Sequence, residues 1–197
     1  MVYADPPWRV EPYSRDTGLD RAPDRHYDTM TLEAIKAMRI PAADNAVLFL
    51  WAITPMLPQA LEVMDTWGFT YVSHYVWVKA KIGLGYWTRG QHESLLIGKR
   101  GKIPAPAPGE QFPTAFCEPS NEKPGQHSSK PAHFAEIIER MFPNVARLEL
   151  FCRSPRPGWT VHGDGCPALP VIPARIKNHP FAAMKRPSPE LEGDVDG

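Results

Sequence analysis

Short apolar runs of strand length alternate along the chain with segments of helical periodicity. The run Ala46–Ala52 is apolar at every position, which is typical of a central strand buried on both faces of a parallel sheet. Thr70–Lys79 is rich in β-branched and aromatic residues, as strands are. Glu93–Arg100 and Ala146–Cys152 have strand length too, and Met1–Ala4 has the composition of the end of another buried strand. The pattern therefore predicts five strands.

Three helices are predicted in the intervals between these strands. They run from Thr31 to Met38, from Pro55 to about Trp67 and from Pro131 to Phe142. The side-chain oxygen of Thr31 can cap the first helix, and Asp28 and Thr29 are alternative caps.

Strands that alternate with helices predict an α/β fold with a mostly parallel sheet. The strands at residues 70–79 and 93–100 have no helix between them, so their connection is either a long hairpin or a crossing loop. Residues 101–130 hold six prolines and are predicted to form a loop. Residues 167–197 hold six more and show no sustained periodicity. We therefore expect one domain over residues 1–166, followed by a poorly ordered tail.

Composition and charge narrow the class of protein. The chain has 197 residues, of which 43% are hydrophobic and 22% charged, as in a soluble globular domain. The apolar stretches fall short of the roughly 18 residues of a membrane helix, and the start of the chain lacks the pattern of a secretion signal. We therefore expect a cytoplasmic protein that does not bind membranes. The net charge of zero gives no argument for nucleic acid.

Cysteine and histidine usage argues against a metal site. The chain has three cysteines without a CxxC pair, and its seven histidines lack metal-ligand spacing. We expect a reducing compartment and no metal.

The segment Asp5-Pro6-Pro7-Trp8 directly follows the first predicted strand, where ligands bind in open parallel sheets. Two prolines fix two φ angles and remove two backbone donors, so the segment is a rigid extended corner. The Asp5 carboxylate and the Pro6 carbonyl can each accept a hydrogen from a planar amine, and the Trp8 ring offers a face for a base. Two acceptors on one NH₂ group free its lone pair, which describes a methyl acceptor. The alternative is a structural corner around a buried tryptophan.

A second candidate surface is the stretch at residues 75–100. It holds five basic residues and one acid, interleaved with four aromatic side chains. Basic and aromatic residues together are typical of a nucleic-acid surface, and we predict Lys79, Tyr86 and Arg89 as substrate-binding residues. The alternative is a solvated face over core aromatic residues, because alternate side chains of a strand point inward.

Several motifs occur along the chain in the order in which one known family carries them. They are ADPPW at the end of the first strand, HYDTMTLEAIKAM at residues 26–38, LFLWAITPMLPQALEVMDTWGF at 48–69, VWVKAKIGLGYWTRGQHESLLIGKRG at 76–101, HSSKP at 127–131 and RLELFCRSPRPGW at 147–159. With these motifs, residues 2–165 resemble the MT-A70 family, which transfers a methyl group from S-adenosylmethionine to the 6-amino group of adenine. The resemblance implies a Rossmann-like methyltransferase fold with one antiparallel hairpin and the permuted, β-type order of motifs.

The resemblance also implies roles for individual residues. Asp5 to Trp8 would hold the target amine, and Asp5 would also approach the methionine amino group of the cofactor. His26 and Tyr27 would gate the adenine pocket, and Lys130 would bind the methionine carboxylate. The remaining cofactor residues would be Glu149 and Arg153 near the ribose, and Gly163 and Asp164 near the adenine ring. Family members often carry asparagine in place of Asp164, and an ionised acid accepts a hydrogen bond there but cannot donate one.

These inferences predict an enzyme that methylates adenine N6 in nucleic acid. DNA is favoured over RNA, because bacterial members of the family are usually DNA methyltransferases. Two alternatives stay open: an RNA adenosine methyltransferase, and a catalytically silent, nucleic-acid-binding partner subunit of the same fold. A homodimer or a heterodimer is compatible with the sequence.

Overall fold

The computed structural model describes residues 1–10, 29–83, 85, 87–118, 130–153 and 155–163. The predicted tail at residues 167–197 lies outside these ranges, so the domain boundary at residue 166 stays a prediction. Within the described ranges, no helix has the length and apolar character that crossing a membrane requires.

The described ranges contain seven strands and three α-helices. The strands are β1 (Val2–Ala4), β2 (Ala46–Ile53), β3 (Thr70–Val78), β4 (His92–Arg100), β5 (Ala115–Cys117), β6 (Leu148–Leu150) and β7 (Thr160–His162). The helices are α1 (Leu32–Lys36), α2 (Leu57–Thr66) and α3 (His133–Met141), and a 3₁₀ turn at Thr54–Met56 leads into α2.

All seven strands form one sheet in the order β5-β3-β4-β2-β1-β6-β7. Strand β4 runs antiparallel to both of its neighbours, β2 and β3, and every other pair of strands is parallel. This mixed sheet confirms the predicted fold class and makes the connection between β3 and β4 a hairpin. The amino end of β4 therefore lies at the same edge of the sheet as the carboxyl ends of the other six strands.

Strand β2 is buried on both faces, as its sequence predicts. Leu48 and Leu50 point into the core that α1 and α2 cover, whereas Phe49 and Trp51 point into the core that α3 covers. This alternation follows from the two-residue period of a strand. Helices on both faces leave the carboxyl edge of the sheet open to a ligand.

The prediction of a loop throughout residues 101–130 was wrong, because β5 lies within it. Strand β5 pairs with the last three residues of β3, and the Val76 amide donates to the Thr114 carbonyl at 2.7 Å. A three-residue edge strand is too short to show a periodic pattern. It forms because it satisfies backbone groups that the end of β3 would otherwise expose.

The other differences are at the ends of elements. Helix α1 is capped by Thr31, whose side chain accepts from the Ala34 amide at 3.2 Å, but it ends at Lys36 rather than Met38. The strand predicted at residues 146–152 is shorter, because Phe151 adopts a left-handed φ of 62° that an extended strand does not allow. Strand β7 was not predicted, since three residues carry too little pattern.

Candidate active site

The rigid corner lies at the carboxyl end of β1, which is central in the sheet. Three hydrogen bonds hold it. The Trp8 amide donates to the Pro6 carbonyl at 2.8 Å, and the Met30 amide donates to the Pro7 carbonyl at 2.9 Å. The Trp8 indole N–H donates to the Trp51 carbonyl at 3.1 Å. A carbonyl oxygen has two lone pairs, so Pro6 retains one for a ligand amine.

Trp8 is buried, with 5% of its surface exposed, and it packs in the core beneath the corner. Its indole ring therefore anchors the corner to β2. This geometry supports the structural alternative for Trp8 more than the stacking role, which stays a prediction. Below the corner, the Trp51 indole N–H donates to the buried Tyr3 hydroxyl at 2.8 Å. Burial raises the pKa of Tyr3 above its usual value, so this hydroxyl is neutral.

Lys130 joins the corner to the start of β4 through a charged cluster, which we define as Asp5, Lys130, Glu93 and Lys79. Lys130 Nζ lies 2.7 Å from both carboxylate oxygens of Asp5 and 3.4 Å from Glu93 Oε2. Lys79 pairs with the other oxygen of Glu93. The side chains of Lys130, Glu93 and Asp5 are 12%, 10% and 27% exposed, so these charges are largely withdrawn from water.

The opposite charges of the cluster shift one another's pKa values toward the ionised forms. Burial raises the pKa of Asp5, and Lys130 opposes that shift. Burial also acts to raise the pKa of Glu93, but the charges of Lys130 and Lys79 outweigh it and lower the pKa. Desolvation acts to lower the pKa of Lys130, but the two carboxylates raise it. Lys130 is therefore the cation that lowers the pKa of both neighbouring carboxylates.

A cleft of about 160 Å³ adjoins this cluster, between the 3₁₀ turn and the connection from β3 to β4. Its polar lining comes from Thr54, Lys79, Lys81, His92 and Glu93. Glu93 Oε2 is buried and, apart from its ion pair with Lys130 at 3.4 Å, makes no hydrogen bond to the described residues. A buried acceptor of this kind can take a hydrogen bond from a polar ligand in the cleft.

The carboxyl ends of β6 and β7 form the other side of the site. Glu149 pairs with Arg156, with Oε2 and Nε 3.4 Å apart, and burial raises the pKa of Glu149. After β6, the left-handed Phe151 turns the chain into Cys152, whose amide donates to the His162 carbonyl at 3.0 Å. Residues held in sparsely populated backbone regions occur preferentially at functional sites.

Gly163 follows β7 directly, and it packs closely on this turn. A Cβ atom at Gly163 would lie 2.4 Å from the backbone nitrogen of Cys152 and 2.3 Å from its oxygen. Only glycine allows the ends of β6 and β7 to approach in this way.

Residues 1–165 match the sequence profile of the MT-A70 family. The chain belongs to the MT-A70 family. Type II methyltransferase M.MunI of Mycoplasma sp is 31% identical to it over 177 residues, which are 81% of this chain and 74% of that protein. N(6)-adenosine-methyltransferase catalytic subunit METTL3 of Homo sapiens is 27% identical over 95% of this chain, which covers 32% of METTL3. The N(6)-adenosine-methyltransferase MT-A70-like protein of Drosophila melanogaster is 24% identical over 100% of this chain and 32% of its own length.

Four of the residues predicted for the site lie outside the described ranges of this MT-A70 chain: His26, Tyr27, Tyr86 and Asp164. The structure brings most of the others to one edge of the sheet, in two groups. Asp5, Lys79 and Lys130 belong to the charged cluster, and Glu149, Arg153 and Gly163 lie at the ends of β6 and β7. Arg153 is close enough to lower the pKa of Asp5, which links the two groups. Arg89 lies apart from both, on the exposed connection between β3 and β4.

Glu93 was not predicted as a site residue of this MT-A70 chain. It starts a strand, and in a parallel sheet the start of a strand lies opposite the ligand edge. It reaches the site because β4 is antiparallel and pairs Glu93 with Ile53 at the end of β2. The sequence feature that could have identified Glu93 as a site residue is its charge, since it is the one acid in the basic stretch at residues 75–100.

Proposed function

We propose that this chain transfers a methyl group from S-adenosylmethionine to the 6-amino group of adenine in nucleic acid, with DNA as the favoured substrate. The observation that carries the proposal is the Asp5 carboxylate, held by a rigid corner at the carboxyl end of a central strand. Membership of the MT-A70 family supports it, since the relatives named above are methyltransferases and two are named for adenosine N6.

The residues at this edge fit the functional groups of S-adenosylmethionine. Asp5 offers an anion to its ammonium group, and Lys130 or Arg153 offers a cation to its carboxylate. Glu149 is an acceptor for ribose hydroxyl groups. His162 Nδ1 is buried without a hydrogen bond to the described residues, and it stands beside Gly163 where a polar ligand group would satisfy it. Lys130 already binds Asp5, so contact with the methionine carboxylate requires it to share or exchange that partner.

S-adenosylmethionine supplies an electrophilic methyl group when it is bound. The chain's own contribution is to orient the amine nitrogen that attacks it. Asp5 and the Pro6 carbonyl accept the two N–H hydrogens and point the nitrogen lone pair along one direction, and alignment of this kind is worth several kcal/mol of barrier. The amine loses one proton once the new N–C bond forms, and ionised Asp5 is placed to accept it. If the substrate is a duplex, the target base must leave the stack to reach Asp5.

DNA is favoured over RNA for one reason. The match covers 74% of the type II methyltransferase of Mycoplasma sp, whereas it covers 32% of each of the two adenosine methyltransferases named above. The resemblance to bacterial MT-A70 members therefore extends to about three quarters of a bacterial relative.

The test is transfer of tritiated methyl groups from S-adenosylmethionine to duplex DNA, single-stranded DNA and RNA of the same sequence, in parallel. Products are digested to nucleosides and identified by mass spectrometry. We expect N6-methyl-2′-deoxyadenosine, and we expect the Asp5→Ala variant, which removes the acceptor, to lose more than tenfold in rate, which is about 1.4 kcal/mol of barrier. Circular dichroism of that variant controls for folding.

Other outcomes would support one of the alternative functions or contradict the role of Asp5. Methylation of RNA alone would make the chain an RNA methyltransferase. Binding of oligonucleotides without transfer to any of them would make it a silent partner subunit. Transfer that Asp5→Ala leaves within tenfold would show that Asp5 does not hold the amine.

A further inference from the structure

The connection between β3 and β4, residues 79–91, continues the hairpin, and hydrogen bonds join its two sides. The Lys79 amide donates to the Gln91 carbonyl at 2.7 Å, and the Gln91 side chain donates back to the Lys79 carbonyl at 3.2 Å. Further out, the Gly83 amide donates to the Gly90 carbonyl at 2.6 Å. The Arg89 Nε donates to the Gly83 carbonyl at 2.8 Å and ties the two sides together.

Glycines allow this loop to close tightly. A Cβ atom at Gly83 would lie 2.8 Å from the Gly90 oxygen, and one at Gly85 would lie 1.8 Å from the Thr88 oxygen. No larger residue fits at Gly85 without displacing the turn that carries Trp87. The position of Trp87 therefore depends on the glycines of this loop.

Trp87 is 94% exposed, which sets it apart from the other five tryptophans of the chain. Each of those is no more than 8% exposed. Ile82 on the same loop is 61% exposed. Tryptophan is a large apolar residue that is highly buried on average, so a ring this exposed at the tip of a constrained loop is an unusual feature.

The loop is also basic. Residues 79–91 contain Lys79, Lys81 and Arg89 and no acid. The nearest acids are already engaged, since Glu93 pairs with Lys79 and Lys130, and the Glu118 carboxylate accepts from the Ala80 amide at 2.9 Å. An exposed ring beside basic side chains matches the chemistry of single-stranded nucleic acid, in which bases stack and phosphates carry charge.

The same loop lines the cleft beside the charged cluster, through Lys81 and Gly90. Gly90 is three residues from Trp87, so their Cα atoms are at most about 11 Å apart. That distance corresponds to about three stacked nucleotides, at roughly 3.4 Å each.

We propose that Trp87 stacks on a base of the substrate strand about three nucleotides from this cleft, while Lys81 and Arg89 contact the adjoining phosphates. This subsite rests on the proposed function, because it presumes a nucleic-acid substrate whose target base enters the site at Asp5. Arg89 has donors to spare, since a guanidinium carries five N–H groups and the Gly83 carbonyl takes one.

The experiment measures binding of a fluorescein-labelled 12-nucleotide single-stranded DNA with one central adenine, by fluorescence anisotropy without cofactor. Trp87→Ala should weaken binding about 5- to 150-fold, the factor to which 1–3 kcal/mol per stacked base corresponds. Trp87→Phe keeps a ring and should recover part of the loss. Ile82→Ala removes an exposed apolar side chain of the same loop without a ring, and it should stay within twofold of the unsubstituted protein.

A salt series separates stacking from charge. Lys81→Gln should lower the slope of log affinity against log salt by about 0.7, the value for one phosphate contact with a single strand. Trp87→Ala should leave that slope unchanged, because stacking releases no counterions.

The possible outcomes separate a failure of the Trp87 subsite from a failure of the proposed function. If the unsubstituted protein binds no oligonucleotide, the proposed function fails together with the subsite. If it binds and Trp87→Ala stays within twofold, the subsite is refuted and the function stands. Sedimentation of Trp87→Ala adds a third reading: a change from dimer to monomer with unchanged DNA affinity would show that Trp87 covers a second copy of the chain, which also overturns the inference.

Discussion

Replacing Lys130 with methionine keeps most of the side-chain volume and removes the cation that Asp5 and Glu93 share. Removal of one partner from a buried ion pair destabilises proteins by about 3–5 kcal/mol, because the remaining charge is left without compensation. Here Glu93 retains Lys79, and Asp5 is 27% exposed and retains access to water. We therefore expect Lys130→Met to lose an amount at the lower end of this range, about 3 kcal/mol of unfolding free energy at pH 7.

The loss should depend on pH in a defined direction. Lys130 lowers the pKa of both Asp5 and Glu93, so these pKa values rise in Lys130→Met. The folded variant then takes up protons at a higher pH than the folded parent does, so acidification stabilises the variant relative to the parent protein. In the parent, the lowered pKa of Glu93 contributes stability above the unfolded value of 4.5, and that stability is lost as pH falls through the folded pKa. The difference between the two proteins should therefore shrink from pH 7 toward pH 4.

Urea unfolding followed by tryptophan fluorescence at pH 7, 6, 5 and 4 measures this difference. The matched control is Lys36→Met, which breaks the Lys36–Glu62 ion pair on the surface, where the side chains are 28% and 52% exposed. Exposed pairs contribute about 0–1 kcal/mol, so the control should change little at any pH. A loss below about 1 kcal/mol in Lys130→Met at pH 7, or a loss that is equal at pH 4 and pH 7, would refute the role of Lys130 as a buried cation shared by Asp5 and Glu93.

Two further substitutions test the scaffold of the site. Tyr3→Phe removes the acceptor of the buried Trp51 indole N–H, and we expect a loss of about 1–3 kcal/mol in urea unfolding, whereas a loss under roughly 0.5 kcal/mol would mean that water reaches the indole. Gly163→Ala places a methyl group against the Cys152 backbone, so it should cost about 1–3 kcal/mol of stability and weaken S-adenosylmethionine binding in calorimetry. Unchanged stability and unchanged binding in Gly163→Ala would show that β6 and β7 can separate without consequence.

The sequence alone determined the parts of this protein that depend on local physics. A run of seven apolar residues at Ala46–Ala52 is compatible with little other than a central strand, and the structure buries it on both faces. Thr31 can be recognised as a cap because its side chain acts three residues away. Two prolines after a strand make a corner whatever surrounds it, so the position of Asp5 at the end of β1 also followed from the sequence.

Contacts between distant segments were decided only by the tertiary structure. Lys130 and Asp5 are 125 residues apart, and the pairing of their charges depends on where α3 lies against the sheet. Glu93 enters the site because β4 inserts antiparallel between β2 and β3, and β5 exists because it pairs with the end of β3. The physical reason is common to all three. Propensity, capping and proline geometry act over a few residues, whereas ion pairing and strand order depend on which chain segments folding brings together.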